Sequence, residues 1–158
     1  MNIGLFVGSF DPFTNGHFEV VKKALNVFDK IVIGIGDNTK KNRMFDKEIM
    51  QTAMQKLFEN EIKLGKIQIV TYSTLTAELA KQVNATFIIR GLRNSSDYNY
   101  EEDIANINET LFGIDTIFFR AKYSFISSTL IRDLISRDKD ISNLVPTEIF
   151  KAINKISK

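Results

Sequence analysis

The run Gly8-Ser9-Phe10-Asp11-Pro12-Phe13-Thr14-Asn15-Gly16-His17 constrains this chain more than any other stretch. The apolar residues Ile3-Gly4-Leu5-Phe6-Val7 before it predict a buried strand, and Phe18, Val21, Leu25 and Phe28 after it recur at helical spacing. The unit is therefore strand, glycine-bearing loop, helix. Gly8 lets backbone approach a ligand closely, Pro12 stiffens the turn, and Thr14 or Asn15 is placed to cap the helix. Free backbone N–H groups at the positive end of a helix suit a phosphate. His17, the single histidine of the chain, stands at that helix start, where a ring N–H can donate to a phosphate oxygen.

The same alternation continues along the chain. Lys30 to Gly36 reads as a second strand, apolar enough to be covered on both faces. A polar loop from Asp37 to Arg43 leads to a helix from Asp46, as cap, to about residue 59, with Ile49, Met50, Ala53, Met54 and Leu57 facing inward. Ile67 to Val70 predicts a third strand nearer an edge, and Thr74 to Gln82 a helix carrying Leu75, Leu79 and Ala80. Thr86 to Ile89 predicts a fourth strand that stops at Arg90-Gly91-Leu92-Arg93. Asp97 to about Phe112 reads as a long helix including Tyr100, Ile104, Ile107 and Leu111, and Thr116 to Phe119 as a fifth strand. Helices over Thr129 to Ser136 and, after Pro146, Thr147 to Ile156 complete the chain. Five strands alternating with helices predict an α/β fold, a Rossmann-like doubly wound parallel sheet forming one domain over residues 1–158.

In a parallel sheet every loop that leaves a strand for a helix opens on one edge. Those loops hold Ser9 and His17, then Lys40 and Lys41, then Thr74 and Leu75, then Arg90 and Arg93, and finally Ser127, Ser128 and Thr129. Cations and hydroxyls are thus expected on a single rim, a setting for anions. Arginine suits phosphate there because its fork donates two N–H groups at once. Ser127 or Ser128 is placed to cap the helix that follows and to turn its free N–H groups toward the rim.

Composition removes several kinds of chemistry. There is no cysteine, which excludes disulfides, thiolate catalysis and cysteine-held metals, and one histidine argues against zinc. A formal net charge of +2, with no basic patch interleaved with aromatics, argues against a nucleic-acid partner. With no signal peptide and no run of about 18 apolar residues, a cytoplasmic protein away from membranes is expected.

Three stretches carry a resemblance over essentially the whole chain. Gly8-Ser9-Phe10-Asp11-Pro12 with Gly16-His17 resembles the first signature of the nucleotidyltransferase superfamily. Ile126-Ser127-Ser128-Thr129-Leu130-Ile131-Arg132 resembles its second. Arg90-Gly91-Leu92-Arg93, followed by Asp97-Tyr98-Asn99-Tyr100-Glu101, is similar to the run that sets the bacterial phosphopantetheine adenylyltransferase family apart from the rest. A gapless match from the first strand to Met44-Phe45 puts Lys41 on that family's phosphate-contacting lysine, with Lys40 next to it. Ser9 stands where threonine is commoner, Val7 for a common proline, Thr74 where many members carry aspartate, and Asp133 where glutamate often occurs.

The resemblance implies transfer of an adenylyl group from ATP to 4′-phosphopantetheine, giving dephospho-coenzyme A and pyrophosphate. It implies His17, Lys41 and Arg90 as catalytic residues. ATP contacts are implied at Ser9, Phe10, His17, Gly91, Leu92, Arg93 and Glu101, and along Tyr123, Ser124, Phe125, Ile126, Ser127, Ser128 and Thr129. Ser9, Lys41, Leu75, Thr76 and Arg90 would meet the phosphopantetheine. Magnesium is expected with ATP, held through phosphate oxygens and water, and a homohexamer is implied. The attacking group is already a phosphate anion, so alignment and placed donors replace a general base. Two other readings compete: transfer to a different acceptor, such as nicotinamide mononucleotide or a cytidylyl acceptor, and a non-catalytic sensor of ATP or coenzyme A.

Overall fold

Strands whose side chains are apolar on both faces belong in the middle of a sheet, and the two richest such runs lie there. The computed structural model, which describes residues 1–37 and 42–156, has five parallel strands: β1 (Ile3–Gly8), β2 (Lys30–Gly36), β3 (Ile67–Tyr72), β4 (Phe87–Leu92) and β5 (Asp115–Arg120). Their order is β3-β2-β1-β4-β5. Among the described residues seven helices accompany them: α1 (Asn15–Leu25), α2 (Lys47–Leu57), α3 (Glu59–Lys63), α4 (Thr76–Gln82), α5 (Ser95–Phe112), α6 (Ser128–Ser136) and α7 (Thr147–Ile156). The expected Rossmann-like sheet is therefore present, with β3 on an edge as its more alternating sequence predicts.

Successive residues of β1 supply opposite faces. Phe6 packs with Ile31, Ile33 and Ile89 under α1, α2 and α7, whereas Leu5 and Val7 pack with Val32, Leu79 and Ala80 under α4. The register sets Leu5 beside both Val32 and Ile88. A Cβ at Gly4 would fall 2.4 Å from the Ile89 side chain, so glycine there permits the β1–β4 contact. Because winding reverses direction at β1, the gap between β1 and β4 opens at their carboxyl ends. Ligands of such sheets bind at that switch point.

Several boundaries differ from those the sequence predicts. β4 continues to Leu92, pairing Arg90 with Phe118 and Leu92 with Arg120, because β5 itself extends to Arg120 and supplies the ladder. Arg90 is thus a strand residue and not the first residue of a loop. α1 starts at Asn15, earlier than expected, and ends at Leu25, with Phe28 buried in the turn beyond. The helix after Asp46 breaks at Phe58, whose ring is held against Phe13 and Phe18, and a short α3 follows. Asp46 occupies the cap position without a side-chain bond, and Ile49 is exposed, not inward-facing. Leu75 precedes α4 and is exposed. Among the described residues no helix is long and apolar enough to cross a membrane.

Candidate active site

The end of the loop after β1 is fixed by its own polar groups. Thr14 caps α1, its hydroxyl accepting from the His17 N–H at 3.2 Å, while the Thr14 N–H donates to His17 Nδ1 at 3.0 Å. A backbone N–H can only donate, so Nδ1 carries no proton and the neutral ring bears its hydrogen on Nε2. The ring lies among Phe6, Phe10 and Phe13, its centroid 4.9 Å from that of Phe10. Burial, then the charges of Arg90 and Arg93, push the His17 pKa down to about 3. His17 is consequently a neutral hydrogen-bond donor at physiological pH, held in one tautomer.

Arg90 reaches across the switch point. Its Nη1 donates to the Val7 carbonyl at 2.9 Å, and Nε and Nη2 clasp both Glu101 oxygens at 2.7 and 2.6 Å. These bonds use three of the five N–H groups of a guanidinium, leaving two for a ligand. Arg93 is paired in the same manner with Asp97, one turn into α5. Gly91 between them is required by packing, since a Cβ there would lie 2.8 Å from Val20 of α1.

The start of α6 completes the rim. Ser127 is the cap, its hydroxyl accepting from the Leu130 N–H at 3.1 Å. The Ser128 hydroxyl donates to the Pro12 carbonyl at 2.8 Å and ties α6 to the first loop. Ser128 spends its hydroxyl proton on Pro12, whereas Ser127 and Thr129 only accept; their hydroxyl protons and the unpaired N–H groups of the first turn of α6 are the donors left for an anion.

These groups line one cavity of about 360 Å³. Ser9, Phe10 and His17 bound it on one side, Arg90, Gly91, Arg93 and Glu101 on another, and Tyr123 with Ile126 to Thr129 close it. Leu92 and Ser124 line an adjoining hollow beside Arg93 and Lys122 instead. Phe125 is exposed, its ring edge against Tyr123. A second cavity, of about 770 Å³, holds Leu75 and Thr76. Ser9, Arg90 and Arg132 border both spaces, so two ligands would meet there. Lys40 and Lys41 lie outside the described residues.

Three contributors to this arrangement carry no role in the sequence reading. Buried Asp11 accepts from the Met44 and Phe45 N–H groups, each at 2.9 Å. Arg132 donates to the Asp11 carbonyl at 2.7 Å and to Thr129. Arg43 donates to the Ser9 carbonyl at 2.7 Å and to the Phe45 carbonyl at 2.9 Å. The only hint for Arg132 was its place ending Ile126 to Arg132; backbone-directed bonds such as those of Arg43 leave no trace in residue spacing.

Among the described residues no group of three or more His, Asp or Glu side chains could hold a metal ion. Asp97 and Glu101, the acids on the cavity wall, are already committed to arginines.

A family model described as cytidylyltransferase-like matches residues 5–134. The phosphopantetheine adenylyltransferase of Porphyromonas gingivalis is 41% identical over 147 residues, covering 92% of this chain and 94% of that protein. That of Bacteroides thetaiotaomicron is 43% identical over 148 residues, 92% and 96% of the two chains, and that of Cytophaga hutchinsonii 41% over 150 residues, 93% and 98%. Two solved structures share the fold. Thermotoga maritima TmcAL, bound with alpha-thio ATP, matches with a TM-score of 0.70 and 14% identity over 98% of this chain and 56% of its own. A putative nicotinate-nucleotide adenylyltransferase from Vibrio parahaemolyticus matches with a TM-score of 0.67 and 17% identity, over 98% and 93%.

Proposed function

The chain belongs to the phosphopantetheine adenylyltransferases within the cytidylyltransferase-like family, and we propose that it joins ATP to 4′-phosphopantetheine by direct in-line attack without a general base. The family's reaction is adenylyl transfer in coenzyme A biosynthesis, and this enzyme carries it out. The observation that supports the mechanism is the pair of cavities sharing Ser9, Arg90 and Arg132, with neutral His17 on the nucleotide side.

In this mechanism a phosphate oxygen of 4′-phosphopantetheine attacks the α-phosphorus of ATP. The new P–O bond forms as the bond to pyrophosphate breaks, and no proton need move. Ser9, Arg90 and Lys41 orient the attacking phosphate, and Leu75 and Thr76 border the pantetheine arm. His17 donates from Nε2 to the α-phosphate oxygens as charge builds on them. The start of α6, with Thr129 and Arg93, holds the departing pyrophosphate, while Gly91, Glu101 and Tyr123 lie along the nucleotide. Alignment of the two anions supplies much of the remaining rate. Magnesium enters as part of the nucleotide substrate, carried by phosphate oxygens and water.

The proposal extends to assembly and place. The α5 face carrying Tyr100, Ile107 and Leu111 is exposed in the single chain, as a surface shared between copies in a homohexamer would be. The reaction belongs in the cytoplasm.

The direct test offers the purified protein ATP, magnesium and, separately, 4′-phosphopantetheine, nicotinamide mononucleotide or glycerol phosphate. Chromatography should find an adenylylated product, dephospho-coenzyme A, only with the first. An adenylylated product from either other acceptor at a similar rate would overturn the substrate assignment, and binding of ATP without any product would favour a sensor.

A further inference from the structure

Phe10 has an uncommon backbone for a bulky residue. Its φ is +46°, in the left-handed region, and its side chain is only 2% exposed. Residues other than glycine hold that conformation when their surroundings over-determine it, and such sites cluster where ligands are gripped. The carbonyls on either side of Phe10 are both held by guanidiniums. Arg43, from the segment between β2 and α2, donates through Nη1 to the Ser9 oxygen at 2.7 Å. Arg132, from α6, donates to the Asp11 oxygen at 2.7 Å.

Arg43 does more than touch Ser9. Its Nε donates to the Phe45 carbonyl at 2.9 Å, and Nη1 also lies 3.4 Å from the Gly36 carbonyl at the end of β2. One side chain therefore joins three separate backbone segments beside the second cavity. No ion pair engages it among the described residues, and its Nη2 is buried without a hydrogen-bond partner. An orphaned buried donor is costly to keep, which points away from a purely stabilising part.

We infer that Arg43 is a positioning residue for adenylyl transfer: by holding the Ser9 carbonyl, with Arg132 on the Asp11 carbonyl, it keeps Phe10 left-handed and the phosphate loop in its donor-presenting shape. The geometry follows from the peptide itself. In a trans peptide the C=O and the next N–H point in opposite directions, and the one cis bond among the described residues is Asp11–Pro12. Fixing the Ser9 oxygen on Arg43 thus aims the Phe10 N–H away from Arg43. Phe10 lines the nucleotide cavity and Arg43 does not. The clamp acts through the loop, on the face of the Ser9–Phe10 peptide opposite the N–H it aims. This rests on the adenylyltransferase reading for its kinetics but not for its geometry.

The test compares the full-length wild-type enzyme with Arg43→Met and Arg43→Lys, by steady-state kinetics and by a crystal structure of Arg43→Met. Loss of positioning should lower kcat about tenfold or more while leaving the KM for 4′-phosphopantetheine within about threefold. Lysine keeps the charge but not the fork, so Arg43→Lys should fall about as far as Arg43→Met. In the variant crystal Phe10 should leave the left-handed region. Phe10 still near +46° would overturn the inference, as would a lower melting temperature with kcat per folded molecule unchanged. A KM for the acceptor that rises with Met and is restored by Lys would also overturn it, showing a direct charge contact. A wild-type enzyme inactive toward 4′-phosphopantetheine would fault the substrate assignment alone, and the crystal would still decide the clamp.

Discussion

A histidine enclosed by phenylalanines and facing two guanidiniums gives up its proton readily, and His17 is in that position. Its place at a helix start was legible in the sequence, because motif spacing fixes where a residue falls along the chain. Its tautomer and neutrality were not, since both depend on Thr14 bonding back to the ring and on Arg90 arriving from another strand. Replacing His17 by alanine should lower kcat by about 10²–10³, with ATP affinity in calorimetry changing far less. The same burial has a cost in acid. The unfolded chain takes up a proton on this ring below about pH 6.5, whereas the folded protein resists until about pH 3. Stability from His17 is thus complete above the unfolded value and is lost as pH falls through that window, by up to about 1.4 kcal/mol per pH unit. Urea unfolding of His17→Gln from pH 6.5 to 3.5 should show a shallower loss than wild type; an identical slope would refute the assignment.

Elements set the directions that residues exploit. The alternation of strands and helices was readable because buried parallel strands demand continuous apolar runs, and 3–7 and 30–36 supply them. The end of β4 was not, because polar Arg90 and Gly91 read locally as a loop and only the length of β5 makes them a strand. That extension matters: a strand residue aims its side chain more rigidly than a loop residue, and Arg90 bridges β1 to Glu101 of α5. Gly91 lets α1 lie close enough to this strand to bring His17 to the same cavity. Gly91→Ala forces a Cβ to within 2.8 Å of Val20. It should destabilise the fold by about 1–3 kcal/mol in thermal or chemical unfolding and lower kcat, by displacing α1, more than it raises the KM for ATP. Full activity with full stability would show that the two elements do not need their present spacing.

For the whole molecule, a parallel sheet places the ends of β1, β4 and β5 on one edge, so the convergence of His17, Arg90 and Ser127 on one cavity was predictable from topology alone. What one sequence does not reveal is which apolar residues remain outside the core. Along α5 no described residue is buried, and Tyr100, Ile107 and Leu111 are 66, 52 and 69% exposed. Apolar surface of that kind fits the interface between copies proposed above. Sedimentation should find a species six times the 18.0 kDa chain, which Ile107→Glu with Leu111→Lys would break apart; a wild-type monomer would contradict that assembly. The claim on which the whole account turns is that two phosphate anions meet across Ser9 and Arg90 in a single displacement, with no enzyme-bound adenylate between. ATP made chiral at phosphorus with an α-sulfur tests it, by phosphorus NMR of the dephospho-coenzyme A analogue formed. One in-line step predicts inverted configuration at that phosphorus, and retained configuration would contradict the account.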